Sequence, residues 1–457
     1  MEKKQPRPPI FNHALFNELT TMAEINSYIS PELHGKFNTK RGLRNNDGTG
    51  VLIGLTEIGE VHAYIINDEE KIPQEGRLYY RGFEVNDLVR GFQEEQRHGF
   101  DETCFLLLFG KLPTASKLEY FQELLGESRN LPDGFTEDMI LKAPSRDIMN
   151  KLARSVLACY SYDENAEDTG VLNVLRQSIE LIARFPTMAA YAYQARAHNF
   201  SNKSLYIHNP KKNLSPSENF LHMIRPDNQY SKLEAEILDL NLILHAEHGG
   251  GNNSTFTTHV VSSTDTDTYS TIAAAIGSLK GVKHGGANIK VFNMVEEIKA
   301  NVRRWDNERE IEDYLVKIIR KKAYDGNGLI YGIGHAVYTL SDPRALLLKE
   351  KAGALSLEKG MEEEYNLYNL IEKTAPLVIA EEKKIDKAMA TNVDFYSGFV
   401  YKMLNIPVEL FTPIFAMSRI AGWSAHRIEE IVSGGRVIRP AYKSVIPKSA
   451  YIPLHHR

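Results

Sequence analysis

Apolar residues recurring every four positions constrain this chain most. Ile148, Leu152, Val156 and Tyr160 make one stripe, and Ile311, Leu315 and Ile319 make another. That spacing puts side chains on one face of an α-helix, where burial against a neighbour stabilises it. The same pattern runs through 171–185, 233–244, 269–279, 291–302, 361–371 and 413–432. Strand signal is confined to the N-terminal part, in Gly50-Val-Leu-Ile-Gly-Leu-Thr, Val61-His-Ala-Tyr-Ile-Ile and Arg77-Leu-Tyr-Tyr-Arg. The expected fold class is therefore mostly α with a small N-terminal β appendage. No fixed-period repeat is present, which argues against a helical solenoid. The stretch 199–217 reads as a loop, and Tyr324-Asp-Gly-Asn-Gly328 as a break. Neither resembles a flexible linker, so the site is expected between two closely associated parts of one unit.

A chain of 457 residues can bury a large core. The net charge of −5 gives no electrostatic case for nucleic acid or an anionic membrane surface. Arg320-Lys-Lys322 reads as a solvated helix end. No apolar run reaches the ~18–20 residues of a membrane span. With two cysteines, Cys104 and Cys159, both in apolar stretches, a disulfide scaffold is excluded and core thiols are expected. The first residues, Met1-Glu-Lys-Lys-Gln-Pro, lack a hydrophobic signal core, so a cytoplasmic location is expected.

Against this helical background, four segments marked by Gly or Asn each carry ionisable side chains. They are His245-Ala-Glu-His248-Gly-Gly-Gly-Asn252, Gly281-Val-Lys-His284-Gly-Gly-Ala-Asn288, Gly332-Ile-Gly-His335-Ala-Val-Tyr338 and Asn392-Val-Asp394-Phe-Tyr-Ser-Gly398. Gly and Asn mark helix ends and tight turns, where backbone N–H groups are free and a ligand can approach closely. Alone, each also has a structural reading: His284 and His335 as capping or core histidines, Asp394 as a helix N-cap. Together they point to an acid–base site assembled from distant parts of the chain. His284 precedes Gly285-Gly286 and a helical stretch, and the positive end of a helix dipole disfavours imidazolium, so a neutral ring is expected. A neutral imidazole N–H can stabilise an enolate as it forms. Asp394, among Val393, Phe395, Tyr396 and Phe399, is expected to have a raised pKa and to act as a general base. That pair suits proton removal next to a carbonyl.

His335 lies in a glycine-rich turn whose Gly-x-Gly is too short for a dinucleotide fingerprint. Three arginines follow, Arg344, Arg419 and Arg439; guanidinium forks bind carboxylates bidentately, which suits a small di- or tricarboxylate. His245, Glu247 and His248, with His259 nearby, invite a metal reading. The spacing is not His-Glu-x-x-His, and the glycine run would end a helix there, so no metal is expected. A non-catalytic or metal-binding helical protein is the different-class alternative.

These motifs, with Gly76-Arg-Leu-Tyr-Tyr-Arg-Gly82 and Asp342-Pro-Arg344, resemble the citrate synthase family from about Asp47 to Pro440. The resemblance implies a nearly all-helical homodimer. Its large helical domain would comprise 1–283 and 396–457, and a smaller helical domain, 284–395, would close over substrates held between them. By that resemblance Asp394 deprotonates acetyl-CoA, His284 stabilises the enol, and His335 polarises and protonates the oxaloacetate carbonyl. His248, Asn252, Arg344 and Arg419 would hold oxaloacetate, with Arg439 supplied by the partner subunit. Tyr331, Gly332, Ile333 and Gly334 match the family's loop for the coenzyme A adenine. Acetyl-CoA is a cosubstrate, and no cofactor or metal is implied. Gly249, Lys283, Ala336 and Thr339 depart from commoner family patterns, which leaves the coenzyme A phosphate contacts open. The 2-methylcitrate synthases, using propionyl-CoA, are the close alternative, since one methylene changes selectivity by only ~1–3 kcal/mol.

Overall fold

Burial of the apolar stripes gives seventeen α-helices and one three-stranded sheet among the described residues. The computed structural model describes residues 14–45, 49–67, 70–335, 337–385 and 388–457. Its two compact units are Met1–Leu55 and Thr56–Arg457. The first contributes helices Ala14–Asn26 and Pro31–Lys36. The boundaries expected at 284 and 395 both fall inside the second.

In the second unit β1 (Gly59–Asn67), β2 (Glu70–Tyr80) and β3 (Phe83–Glu84) form an antiparallel sheet in that order. A register shift between His62 and Tyr64 bends β1. The strand expected at 50–56 does not form. Gly50 makes only an isolated bridge to Arg44, and Leu52 and Leu55 are 86% and 92% exposed. A β-pattern without a partner strand leaves its backbone groups unpaired, so the pattern alone does not suffice.

The helix Phe411–Val432 organises the core, packing against Val171–Ser201, Asn253–Ser262, Phe100–Phe109 and Lys232–His245. Its residues from Phe411 to Arg427 are almost all buried, so this helix is surrounded on every side. Two helices run further than periodicity indicated. Val171–Ser201 continues through Pro186, and Glu362–Lys383 through Pro376. An internal proline costs ~3 kcal/mol through a lost hydrogen bond and a ring clash. Burial of Phe185, Met188, Ala189 and Tyr191 around Pro186, and of Ala375, Val378 and Ile379 around Pro376, offsets that cost. Cys104 and Cys159 are free and buried. No helix among the described residues is long and apolar enough to cross a membrane.

Candidate active site

One wall of the site is built on the core. The helix Lys232–His245 ends at the His245–Asn252 turn, in which Gly249 takes φ +83°. A Cβ at Gly422 would lie 2.4 Å from the Ala246 carbonyl oxygen, so glycine there lets the Phe411–Val432 helix close against this turn. Arg419 is thereby carried beneath it. Its Nε–H donates to the His245 carbonyl at 2.7 Å, and its guanidinium lies 4.8 Å from the Phe415 ring centre. Arg419 is 0% exposed, yet its Nη1 and Nη2 have no partner. Burial pulls its pKa down to about 10, against the pull of Glu247. Arg427, two turns along the same helix, is equally buried but donates to Thr268, Thr271 and the Thr266 carbonyl. A buried charge is ordinarily satisfied in this way. Arg419 is the exception that asks for an anion.

His284 sits beside the same wall, its ring 6.4 Å from Phe415. The Ser254 backbone N–H donates to Nε2 at 3.3 Å, and the Ser254 hydroxyl lies 3.0 Å from the same atom. An amide only donates, so Nε2 accepts and a neutral ring carries its proton on Nδ1. The helix N-terminus that faces His284 is thus that of Asn253–Ser262, rather than the helix that follows His284 itself. Burial and Arg419 push the His284 pKa down to about 4. Asn252 caps the Asn253–Ser262 helix, and its Oδ1 accepts from the Ser254 hydroxyl. Lys283 is exposed.

The opposite wall is a loop pair. Gly334 N–H donates to Ala390 at 2.7 Å and Asn392 N–H to Gly332 at 2.9 Å, around the Ile333–Thr391 bridge. Gly332 is required here. Its φ is +84°, and a Cβ would fall 2.8 Å from the Phe395 ring. His335 follows, with Nδ1 accepting from the Val337 and Tyr338 amides at 3.1 Å each. Its neutral form therefore carries the proton on Nε2, the reverse of His284. Burial and Arg344 lower its pKa to about 4. The His335 ring stacks on Tyr338 at 4.8 Å and meets His248 edge-on at 5.3 Å. His248 Nε2 is buried without a partner, and burial with Arg344 holds its pKa well below the usual range.

Asp394 lies in the first turn of Val393–Met403. Asn392, not Asp394, is the N-cap, accepting the Asp394 N–H at 3.1 Å. Burial raises the Asp394 pKa to about 6; Asp342 adds to the rise while Arg344 and Arg419 oppose it. Asp342 ties this wall together. It accepts from Arg344 Nε and Nη2 at 3.0 and 2.8 Å, and from the Val393 N–H at 3.2 Å. It also caps the Pro343–Lys359 helix through the Arg344 N–H. Asp342, Ser254 and Tyr338 lie in this site without being marked by the four motifs' ionisable residues; an Asp-Pro pair at a helix start is the available signal for the first.

The geometry thus gathers His248, Asn252, His284, His335, Arg344, Asp394 and Arg419, with the 331–334 turn alongside. Arg439 is exposed and is not among them. Thr339 is half-buried, and Ala336 lies outside the described residues. Two neutral imidazoles with defined donor nitrogens, one carboxyl poised to act as a base and one unpartnered guanidinium can deprotonate carbon next to a carbonyl while holding an anion.

The family model described as citrate synthase, C-terminal domain, matches residues 47–441. A citrate synthase of Haloferax volcanii is 35% identical, over 88% of this chain and 94% of that one. A 2-methylcitrate synthase of Shewanella oneidensis is 31% identical, over 83% of this chain and 92% of that one. The fold is similar, at TM-score 0.74 and 27% identity over 92% of this chain and 99% of that one, to a Thermoplasma acidophilum citrate synthase. That structure is a ternary complex with carboxymethyl coenzyme A and oxaloacetate.

Proposed function

Because this chain belongs to the citrate synthase family of acyl-transferring enzymes, we propose that it condenses acetyl-CoA with oxaloacetate and water to give citrate and coenzyme A. The observation that carries the reading is the buried Arg419 fork without a partner, facing a site with a carboxyl of raised pKa. Oxaloacetate binds with a carboxylate on Arg419 Nη1 and Nη2. Asp342 holds the Nε–Nη2 edge of Arg344, so the second carboxylate meets Arg344 from its Nη1 side. His248 and Asn252 complete that pocket. Asp394 takes a methyl proton from the thioester, and His284 Nδ1–H stabilises the enolate oxygen. The enolate carbon then forms a bond to the ketone carbon of oxaloacetate, whose oxygen is polarised and protonated by His335 Nε2–H. Water hydrolyses the citryl thioester, releasing coenzyme A.

Tyr331, Gly332, Ile333 and Gly334 are assigned to the adenine of coenzyme A, since their paired backbone stands beside the helix that carries Asp394. Residues 284–395 act as the closing domain and 1–283 with 396–457 as the larger one. The assembly is a homodimer in the cytoplasm, and Arg439, exposed in the single chain, reaches the partner's oxaloacetate. Co-expression of an Arg439→Ala subunit with an Asp394→Ala subunit tests this: activity restored in the mixed dimer supports the exchange, and none restored refutes it. Relatives at 31% and 30% identity are 2-methylcitrate synthases, which supports propionyl-CoA as the competing substrate. Free-thiol release with oxaloacetate, compared by kcat/KM for the two thioesters, decides between them. Preference for acetyl-CoA supports the proposal, preference for propionyl-CoA keeps the chemistry and changes the substrate, and no release with either overturns it.

A further inference from the structure

Beneath the His248 turn lies a second cluster that the proposed condensation does not use. His259, from Asn253–Ser262, and His426 and Glu429, from Phe411–Val432, present ligand atoms that all lie within 4.8 Å of one another. His259 Nε2 stands 3.1 Å from His426 Nδ1, and Glu429 Oε2 is 3.6 Å from the latter. At the ~2.0–2.1 Å bonds of zinc to imidazole, two nitrogens on one tetrahedral ion stand about 3.3 Å apart, so the histidine pair is already close to ligating geometry.

Each histidine is also oriented from behind by a carboxylate. Glu430 Oε2 lies 2.7 Å from His259 Nδ1, and Glu247 Oε1 lies 3.0 Å from His426 Nε2. Carboxylates behind ligating imidazoles fix their tautomer and raise their basicity. Glu429 is held by the Glu57 N–H through Oε1 at 2.7 Å, while its Oε2 is buried with no hydrogen-bond partner. Three carboxylates thus surround the two histidines, with Arg81 beside Glu429 and Glu247, and Arg419 beside Glu247, as the neighbouring cations.

We propose that His259 Nε2, His426 Nδ1 and Glu429 Oε2 bind one divalent ion of the zinc class, with a fourth position open to water. Two imidazoles and one carboxylate select a borderline ion such as Zn²⁺ over Mg²⁺ or Ca²⁺. The proton now shared between the two ring nitrogens leaves to solvent when the ion binds. The ion would clasp the Asn253–Ser262 and Phe411–Val432 helices under the glycine turn, since a Cβ at Gly250 would meet both His259 and His426 at 3.7 Å. It is a structural ion and takes no part in the condensation. His245 and His248, whose spacing first invited a metal reading, are not ligands here.

The test titrates Zn²⁺ into chelator-treated, refiltered protein by calorimetry, with elemental analysis for stoichiometry and Co²⁺ substitution read by its visible d–d absorption. One ion per chain, lost in His259→Ala and in the near-isosteric Glu429→Gln, is the expected result. Glu430→Gln, which leaves all three ligands in place, should weaken binding roughly 10-fold or more. Circular dichroism checks that each variant is folded. Absence of zinc binding by the folded parent protein, or undiminished binding by folded Glu429→Gln and His259→Ala, would overturn the proposal and leave a hydrogen-bonded histidine pair.

Discussion

The two walls of the site hold their arginines in opposite states. On the loop wall Arg344 is 3% exposed and paired along one edge, its Nε and Nη2 held by an Asp342 that also anchors the helix of Asp394. On the core wall Arg419 is as deeply buried, and its two Nη atoms meet nothing. The same side chain in the same site therefore serves different ends. Arg344 is chiefly a structural tie, whereas Arg419 leaves its whole terminal fork unpaired, as the proposed carboxylate site requires. An unpaired buried cation costs stability, and its persistence is explained when a bound carboxylate completes it.

The largest effect is expected at Asp394, the proposed base on the loop wall. Asp394→Asn should lower kcat by about 10²–10⁴-fold, measured by thiol release, with oxaloacetate binding kept within a few-fold. Next come the two arginine sites. Asp342→Asn leaves Arg344 buried without its counter-charge and removes the Oδ2 acceptor of Arg344 Nη2 and of the Val393 N–H, so it should destabilise the fold by about 3–5 kcal/mol in denaturant titration. Arg419→Met removes a buried cation whose two Nη atoms have no partner and loses the single Nε–H bond to His245, so the melting temperature should fall by less than in Asp342→Asn. Oxaloacetate binding should nevertheless weaken by about 2–5 kcal/mol, upwards of roughly 30-fold. Equal stability losses in the two variants would erase the distinction between the walls.

The pH dependence sharpens it further. Asp394 must be ionised to act as a base, so kcat/KM should rise with pH through about 6 and level off above it. Its folded pKa is raised, so its contribution to stability is present at low pH and is lost as pH rises through about 6. Asp394→Asn should therefore gain stability over the parent at pH 8 more than at pH 4, as thermal melts would show. The smallest effect belongs to Ser254→Ala. It removes the hydroxyl beside His284 Nε2 but keeps the backbone N–H, costing about 0.5–1.5 kcal/mol in kcat/KM.

Much of this arrangement was legible in the sequence because its chemistry sits where the chain turns. His248, His284, His335 and Asp394 each neighbour a Gly or Asn that ends a helix or bends a loop, and the structure gathers them. What the sequence concealed was set by contacts between remote segments. The Ser254 amide that fixes the His284 tautomer is 30 residues away, and the His259–His426 contact spans 167. The cap of the Asp394 helix is ambiguous in the sequence between the two polar residues flanking Val393, and the structure gives it to Asn392, leaving the Asp394 side chain out of the cap. Periodicity ends two helices short of Pro186 and Pro376, whereas burial outweighs local propensity and carries both helices across the prolines. The strand at 50–56 was read from a pattern that found no partner.

The most direct measurement is calorimetric titration of oxaloacetate into the parent protein, Asp394→Asn and Arg419→Met side by side. Near-parental affinity is expected for Asp394→Asn and a loss of at least roughly 30-fold for Arg419→Met. Parental affinity in Arg419→Met would contradict this, because the unpartnered guanidinium would then not be the receptor for the substrate carboxylate.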